Sequence, residues 1–460
     1  MRRWLTTLLL SAGSLLVLWA IVDAQAPTGN QPPPPAGAAD FKEERLEAEK
    51  PNDRDLREFD RMKNGTYPFD NPNEAALREP GAQTVITNAI KYYIYRLTWS
   101  EVQEARESSM SDVMDEILGG PNNNPSSKIF PPSYITKKTD DIAMKQRRDR
   151  QWAFLRLAVP HVIKCSQDVL QNKVLAARLN AARILERVAE WGFESVADPL
   201  LNVMNNPREH DAVRLWAIQG LGYLLRDYSD KGQLGSDDEK GLRYQQCMRV
   251  IYEWLNKASF MPSDVIEQMT TPERAAIVYI RKRAIRSLGM SRRALIVDGG
   301  RSGVKDGPVA ELLAKIMVNV QGSVIPEASW SERVDAAYAI CQMSPKLSPS
   351  LNTDVAAYQF AQFLAALGAN AVNDPNRSDP AKARQRWKYF AVVLKESIDH
   401  LEKEHTGNEP GAEFVRKLIP QMTRVIENLD DPSKFPQAPQ DLFNYLSGNS
   451  PPNKTLFKPS

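Results

Sequence analysis

The sequence predicts an all-α protein: paired antiparallel helices with irregular insertions, flanked by two poorly structured ends. Three observations predict it. Apolar residues recur at helical offsets from residue 83 to residue 430. No run alternates apolar and polar residues for long enough to make a strand. The pattern Arg-x-x-Ala-x-x-x-(Leu or Ile) returns four times on helical stretches.

Residues 1–24 read as a secretory signal. Arg2 and Arg3 precede an apolar run from Trp4 to Val22, and Val22-Asp23-Ala24 offers a cleavage site before Gln25. The alternative is an uncleaved anchor, since a run of this length just spans a bilayer. No later segment is read as membrane-spanning, and the expected location is exported, periplasmic or secreted. Residues 25–82 carry nine prolines, including Pro32 to Pro35, and read as an extended spacer with a short charged helix around Phe41–Lys50. Residues 431–460 hold six prolines and read as a loosely docked tail.

Within 83–430 the stripes are explicit. Ile86, Ala89, Ile90, Tyr93 and Leu97 share one helix face. So do Val309, Leu312, Leu313, Ile316 and Val320; Phe360, Phe363, Leu364 and Leu367; and Trp387, Phe390, Ala391, Leu394, Ile398 and Leu401. Caps are expected at Thr271 (before Pro272), Asp211, Ser331 and Asp379 (before Pro380), and stops at Gly192, Gly289, Gly322 and Gly368. The repeated pattern falls at Arg178/Ala181/Leu185, Arg214/Ala217/Leu221, Arg281/Ala284/Leu288 and Arg333/Ala336/Ile340. Alanine and leucine four apart lie on one face, and the arginine stem is expected to run along its edge with its head in water. Amphipathic helices at Val196–Asn205, Glu239–Lys257 and Val309–Asn319 precede the last three, which makes pairs. The polar stretches Tyr228–Gly241 and Ser291–Gly307 read as insertions.

The run Asp211 to Leu224, with Arg214, Trp216, Ala217 and Leu221, resembles the second helix of a HEAT repeat, and Arg281 to Gly289 is similar. The likeness covers residues 174–343 and is looser at Arg178–Leu185 and Arg333–Ile340. It implies an α-solenoid of an exported type that offers a surface to a protein partner, and it implies no chemistry. In that family an Asp at the turn and an Arg in the second helix link neighbouring repeats; Asp211 with Arg214 fits.

Composition narrows function. The chain has 59 Lys plus Arg against 57 Asp plus Glu, a near balance that argues against a dedicated nucleic-acid binder. Cys165, Cys247 and Cys341 are too few for a disulfide framework or a four-thiolate site. They are expected in the core, with one disulfide plus one free thiol as the alternative. CxxC, CxxCH, HExxH and GxSxG are all absent. Of four histidines, His161 reads as a core residue and His210 as exposed before a helix. His400 and His405 are five apart, off a shared face, and read as solvated. The glycine-rich stretch Gly299 to Gly307 lacks the Gly-Lys-Ser/Thr of a phosphate loop and reads as a surface loop. Arg281, Lys282, Arg283, Arg286, Arg292 and Arg293 form the strongest charge feature. They read as a solvated helix face, the alternative being a contact for an anionic partner. Asn64, Asn376 and Asn453 begin glycosylation sequons, and seven tryptophans are scattered about one per helix, as core residues would be.

No catalytic, cofactor-binding or metal residue is singled out, and no cofactor is expected. The leading expectation is a non-enzymatic scaffold that binds a protein of the cell envelope. The alternative is an α/α-barrel enzyme acting on a sugar polymer, which needs two carboxylates across its cleft.

Overall fold

The computed structural model describes residues 45–66, 76–99, 142–230, 239–294, 296, 308–319, 324–344, 346–348, 350–374, 383–405, 411–431 and 434–457. Among these, every extended element is a helix, apart from isolated bridges pairing Phe260 with Ile325 and Leu351 with Phe457. The all-α class therefore holds. The signal segment, Asn376, Asp379, Gly322, Val320 and Gly299–Gly307 lie outside the described residues.

The described residues fall into two compact units, one of residues up to Leu224 and one from Leu225 onward. The first contains α1 (Asp53–Lys63), α2 (Pro80–Tyr95), α3 (Ile142–Leu170), α4 (Leu175–Glu190), α5 (Ala197–Asn205) and most of α6 (Asp211–Asp230). Helix α1 corrects the reading of 25–82 as spacer. The Asn52 side chain accepts from the Asp55 amide, acidic residues open the helix and basic ones close it. Phe59 and Met62 then bury against α2 and α3, with the Phe59 ring 5.5 Å from Phe154 and 6.0 Å from Tyr93. Two apolar side chains on one face suffice here, which is why a scan for long stripes passes over it. The described part of the expected helix at Phe41–Lys50 is not helical. The predicted stripe on α2 is buried, and Gly192 at φ 80° ends α4 as expected.

The second unit contains α7 (Glu239–Ser259), α8 (Ser263–Gln268), α9 (Thr271–Met290), α10 (Pro308–Val318), α11 (Trp330–Cys341), α12 (Thr353–Val372), α13 (Ala383–Glu404), α14 (Ala412–Asp430) and α15 (Ala438–Gly448). Helices α9, α11 and α13 pack successively on one another. Helices α7, α10 and α12 make a second succession, cross-linked to the first by α7 on α9 and α10 on α11. The 431–460 segment is not a loose tail: α15 buries Leu442 and Leu446 against α12 and α14. Beyond α15, the Asn453 amide nitrogen donates to both Asp354 oxygens at 3.0 and 3.1 Å, so this sequon nitrogen is already engaged.

Two caps fall elsewhere than expected. They sit at Thr270 and Ser329, each in a reciprocal box with the glutamate three residues on, Glu273 and Glu332. The spacing to that glutamate selects the cap over the neighbouring Thr271 and Ser331. At α6 the cap is His210, whose Nδ1 accepts from the Ala212 amide at 3.0 Å, and Asp211 is the first helical residue.

Two expected stops are contact points inside helices. A Cβ on Gly289 would lie 2.7 Å from Ala339 Cβ, so this glycine lets α9 and α11 touch. A Cβ on Gly368 would lie 2.7 Å from the Pro439 ring and 2.9 Å from Val425.

By length and composition alone, helix α12 is long and apolar enough to cross a membrane, and 61% of its apolar stretch is buried within the protein. It packs chiefly on α14 and α15, and also on α10 and α11.

Candidate functional site

The four pattern arginines do not keep their heads wet. Arg333 donates to the carbonyls of Met317 and Val318, the last turn of α10, at 2.9 and 3.1 Å. Arg214 donates to the Asn206 carbonyl just past α5 at 2.7 Å and to Asp211 at 2.8 Å. Arg178 donates to the carbonyls of Asn172 and Lys173 just past α3, both at 2.9 Å, and pairs with Glu209 at 3.0 Å. Arg281 reaches the Ala258 carbonyl at the end of α7 and the Pro326 carbonyl at 2.8 Å, and pairs with Glu332 in full burial. Arg178, Arg214 and Arg333 each serve carbonyls at or just past the C-terminus of the helix before their own, where the helix dipole also favours a cation. Arg281 reaches back past α8 to the end of α7 and forward to the segment that leads into α11. The Asp211–Arg214 pair lies within one helix and links no neighbours.

The basic stretch is likewise no open patch. Arg286 pairs with Asp335 at 3.0 Å and bonds Tyr389, Lys282 lies 3.7 Å from Asp335, and Arg283 donates to Tyr279 at 3.0 Å. Arg292 pairs with Asp230 at 3.4 Å, and Arg293 sits over the Tyr244 ring. The series holds α9 to α11 and α13 more than it faces solvent. Tryptophans behave similarly. Trp387 is buried, but Trp99, Trp152, Trp191, Trp216, Trp254 and Trp330 are half-buried. Arg183 and Arg333 stack over Trp216 and Trp330, at 5.3 and 4.0 Å.

Titratable side chains converge between α2 and α3. Tyr95 donates to Asp168 at 2.5 Å, Cys165 lies beside them, and Thr87 bonds His161 at 3.4 Å. Burial pushes the Cys165 thiol up to about 11 and also raises Tyr95, so neither is a nucleophile at neutral pH. All three cysteines are free and buried, as the core reading expected. His161 is half-buried rather than a full core residue, and His210 is half-buried rather than exposed. His405 is buried, with Nδ1 2.8 Å from the Leu401 carbonyl, which overturns its reading as solvated. No group of three or more His, Cys, Asp or Glu suited to a metal occurs among the described residues.

The feature with the shape of a binding site is a half-open groove of about 630 Å³ between α12 and α15. One wall is a face of α12: Tyr358, Gln362, Ala365, Ala366, Ala369 and Asn373. The other is α15 and the turn before it, with Pro436, Gln437, Pro439, Gln440 and Phe443. Helix α15 is fixed at two places. Pro439 seats on the bare Cα of Gly368, and Tyr358 donates to the Leu446 carbonyl at 3.4 Å. Phe443 and Val372 stay more than half exposed at its edge. Among the described residues, no lining residue carries a charge. The volume lies in the range of ligand pockets, and the lining is apolar with carboxamides interspersed.

Sequence reasoning did not find this groove. A signal was there, since residues 355–373 hold no charged residue on any face. Such a helix either is covered all round or exposes a neutral strip.

No protein-family model matches the chain, and neither does any curated protein or solved structure.

Proposed function

We propose that the protein is an exported, non-enzymatic scaffold whose helix pairs stack as a HEAT-like α-solenoid and whose α12–α15 groove docks a protein of the cell envelope. The solenoid reading is supported by Arg178, Arg214 and Arg333, which tie a helix to the end of its predecessor, by Arg281, which ties α9 to the end of α7 and to the segment before α11, and by the two successions of helices in the second unit. The single observation that carries the docking role is the uncharged, half-open groove in a chain of which 25% is charged. Exposed apolar surface of this kind marks interaction sites. A sugar-polymer hydrolase would need paired carboxylates across its cleft, and this lining supplies none.

A photo-crosslinking residue placed at Ala366 in the groove tests the role, with Val392 on the exposed face of α13 as control. The expected result is one discrete adduct from position 366, lost in an Ala369→Glu background and absent from position 392. Identical patterns from both positions would refute it.

A further inference from the structure

We infer that the α12–α15 groove receives the uncharged, proline-rich segment Gln25–Ala39 of a second copy of this chain. The inference rests on the docking role proposed above and names its occupant.

The chemistry of the two surfaces matches. Among the described residues the groove lining holds no charged side chain, and neither does any of the fifteen residues from Gln25 to Ala39; the α-ammonium that cleavage before Gln25 would leave stands seven residues ahead of Pro32. A charged segment would lose its hydration against this lining without gaining a partner. Five of those fifteen residues are proline, four of them consecutive at Pro32–Pro35. The proline ring restricts φ, and consecutive prolines favour polyproline II as a class, so a proline run has less conformational freedom to lose on docking than an ordinary segment. Its carbonyls mostly lack a companion N–H and call for donors. The carboxamides of Gln362, Asn373 and Gln437 line the groove and can supply them. Proline rings pack on aromatic faces, and the rings of Tyr358 and Phe443 stand in the same groove.

The lengths agree. From Tyr358 to Asn373 the α12 face runs about 22 Å at 1.5 Å per residue. A polyproline II strand covers that in about seven residues, so the segment is long enough with register to spare. The chain is pinned at Arg45 and Leu46: the Leu46 amide donates to Thr98 at 3.0 Å, and Trp99 donates to the Leu46 carbonyl at 2.8 Å. Five residues lie between Ala39 and Arg45, so the two are six steps apart, about 20 Å of extended chain. That reach lets the segment lie on a neighbouring copy while Arg45 and Leu46 stay packed at home.

The test uses the full exported chain and a labelled Gln25–Ala39 peptide. Sedimentation should show self-association that rises with concentration, and the free peptide should suppress it. Two groove substitutions at exposed positions, Ala366→Glu and Phe443→Ser, should each weaken peptide binding and self-association at least about tenfold. Deleting residues 25–39 should abolish self-association while the groove still binds the free peptide. Adding Pro33→Lys and Pro34→Lys should restore association to the Ala366→Glu chain. A chain that stays monomeric at all concentrations, or whose association is indifferent to both groove substitutions, overturns the inference. So does a groove that binds an amphipathic helix or a neutral oligosaccharide but not the peptide. If the peptide fails while the crosslink at position 366 persists, this inference alone falls. If the groove substitutions change neither, the docking role falls with it.

Discussion

Replacing Arg281 with methionine should be among the most damaging single changes to the second unit. Arg281 and Glu332 are both fully buried, and the guanidinium also serves the Pro326 carbonyl at 2.8 Å. Methionine keeps much of the stem volume but leaves a carboxylate buried without its countercharge. Glu332 keeps only its other contacts, to the Ser329 amide and hydroxyl, both at 2.8 Å. Removing one partner of such a pair costs about 3–5 kcal/mol. An unserved carbonyl alone accounts for about 1–3 kcal/mol. The companion variant Glu332→Gln retains an oxygen for the Ser329 cap, and the double variant removes the stranded charge. Its cost should therefore fall short of the summed single costs by about 1–3 kcal/mol. A chain of two units need not unfold in one step. The readout is accordingly hydrogen exchange in peptides from α9 and α11, alongside urea denaturation. An Arg281→Met cost below about 1 kcal/mol, or strict additivity in the double variant, would show that the pair does not hold these helices as argued.

Three further outcomes are expected. His210 caps α6 through a neutral Nδ1, and burial holds its pKa below the usual histidine value, with Asp211 opposing and Arg178 and Arg214 adding to the depression. The unfolded chain therefore binds the proton more readily. The cap's contribution is intact above the unfolded pKa of about 6.5 and is lost as pH falls from there through the lower folded value. His210→Asn keeps a good cap without titrating and should flatten the pH dependence of exchange protection at the start of α6 between about pH 5 and 7. Gly289→Ala should destabilise by about 1–3 kcal/mol, because its Cβ would meet Ala339 at 2.7 Å; Ala339→Gly in the same chain should recover part of that in urea melts. Thiol titration of the native chain should label none of the three cysteines and all three after unfolding. Cys165 is held up at about 11 by burial, and fast native labelling there would contradict the buried placement.

Much of the architecture was readable from spacing. The stripes at Ile86–Tyr93, Phe360–Leu367 and Trp387–Leu401 are buried, and no strand was needed. The caps at Thr270 and Ser329 turned on a glutamate three residues on; the other misses turned on atoms outside the helix concerned. The recurring arginines were visible as a pattern, but their acceptors are carbonyls 5 to 46 residues away, from Lys173 for Arg178 to Glu327 for Arg281. The same distance hid the meaning of Gly289 and Gly368. A glycine near a helix end looks like a stop until the neighbour that needs its missing Cβ is known.

Periodicity, capping residues and composition are local, because hydrogen bonding along a helix and the burial of one face depend on neighbours three and four residues away. They determined by themselves that the chain is helical, where most helices lie, and that ordinary catalytic and metal motifs are missing. What covers what is a non-local question, settled only when helices compete for the same apolar surface. That competition alone decided that α1 and α15 are docked elements, that the basic run of α9 is turned inward onto Glu332 and Asp335, and that one face of α12, uncharged from Val355 onward, is left as an open groove.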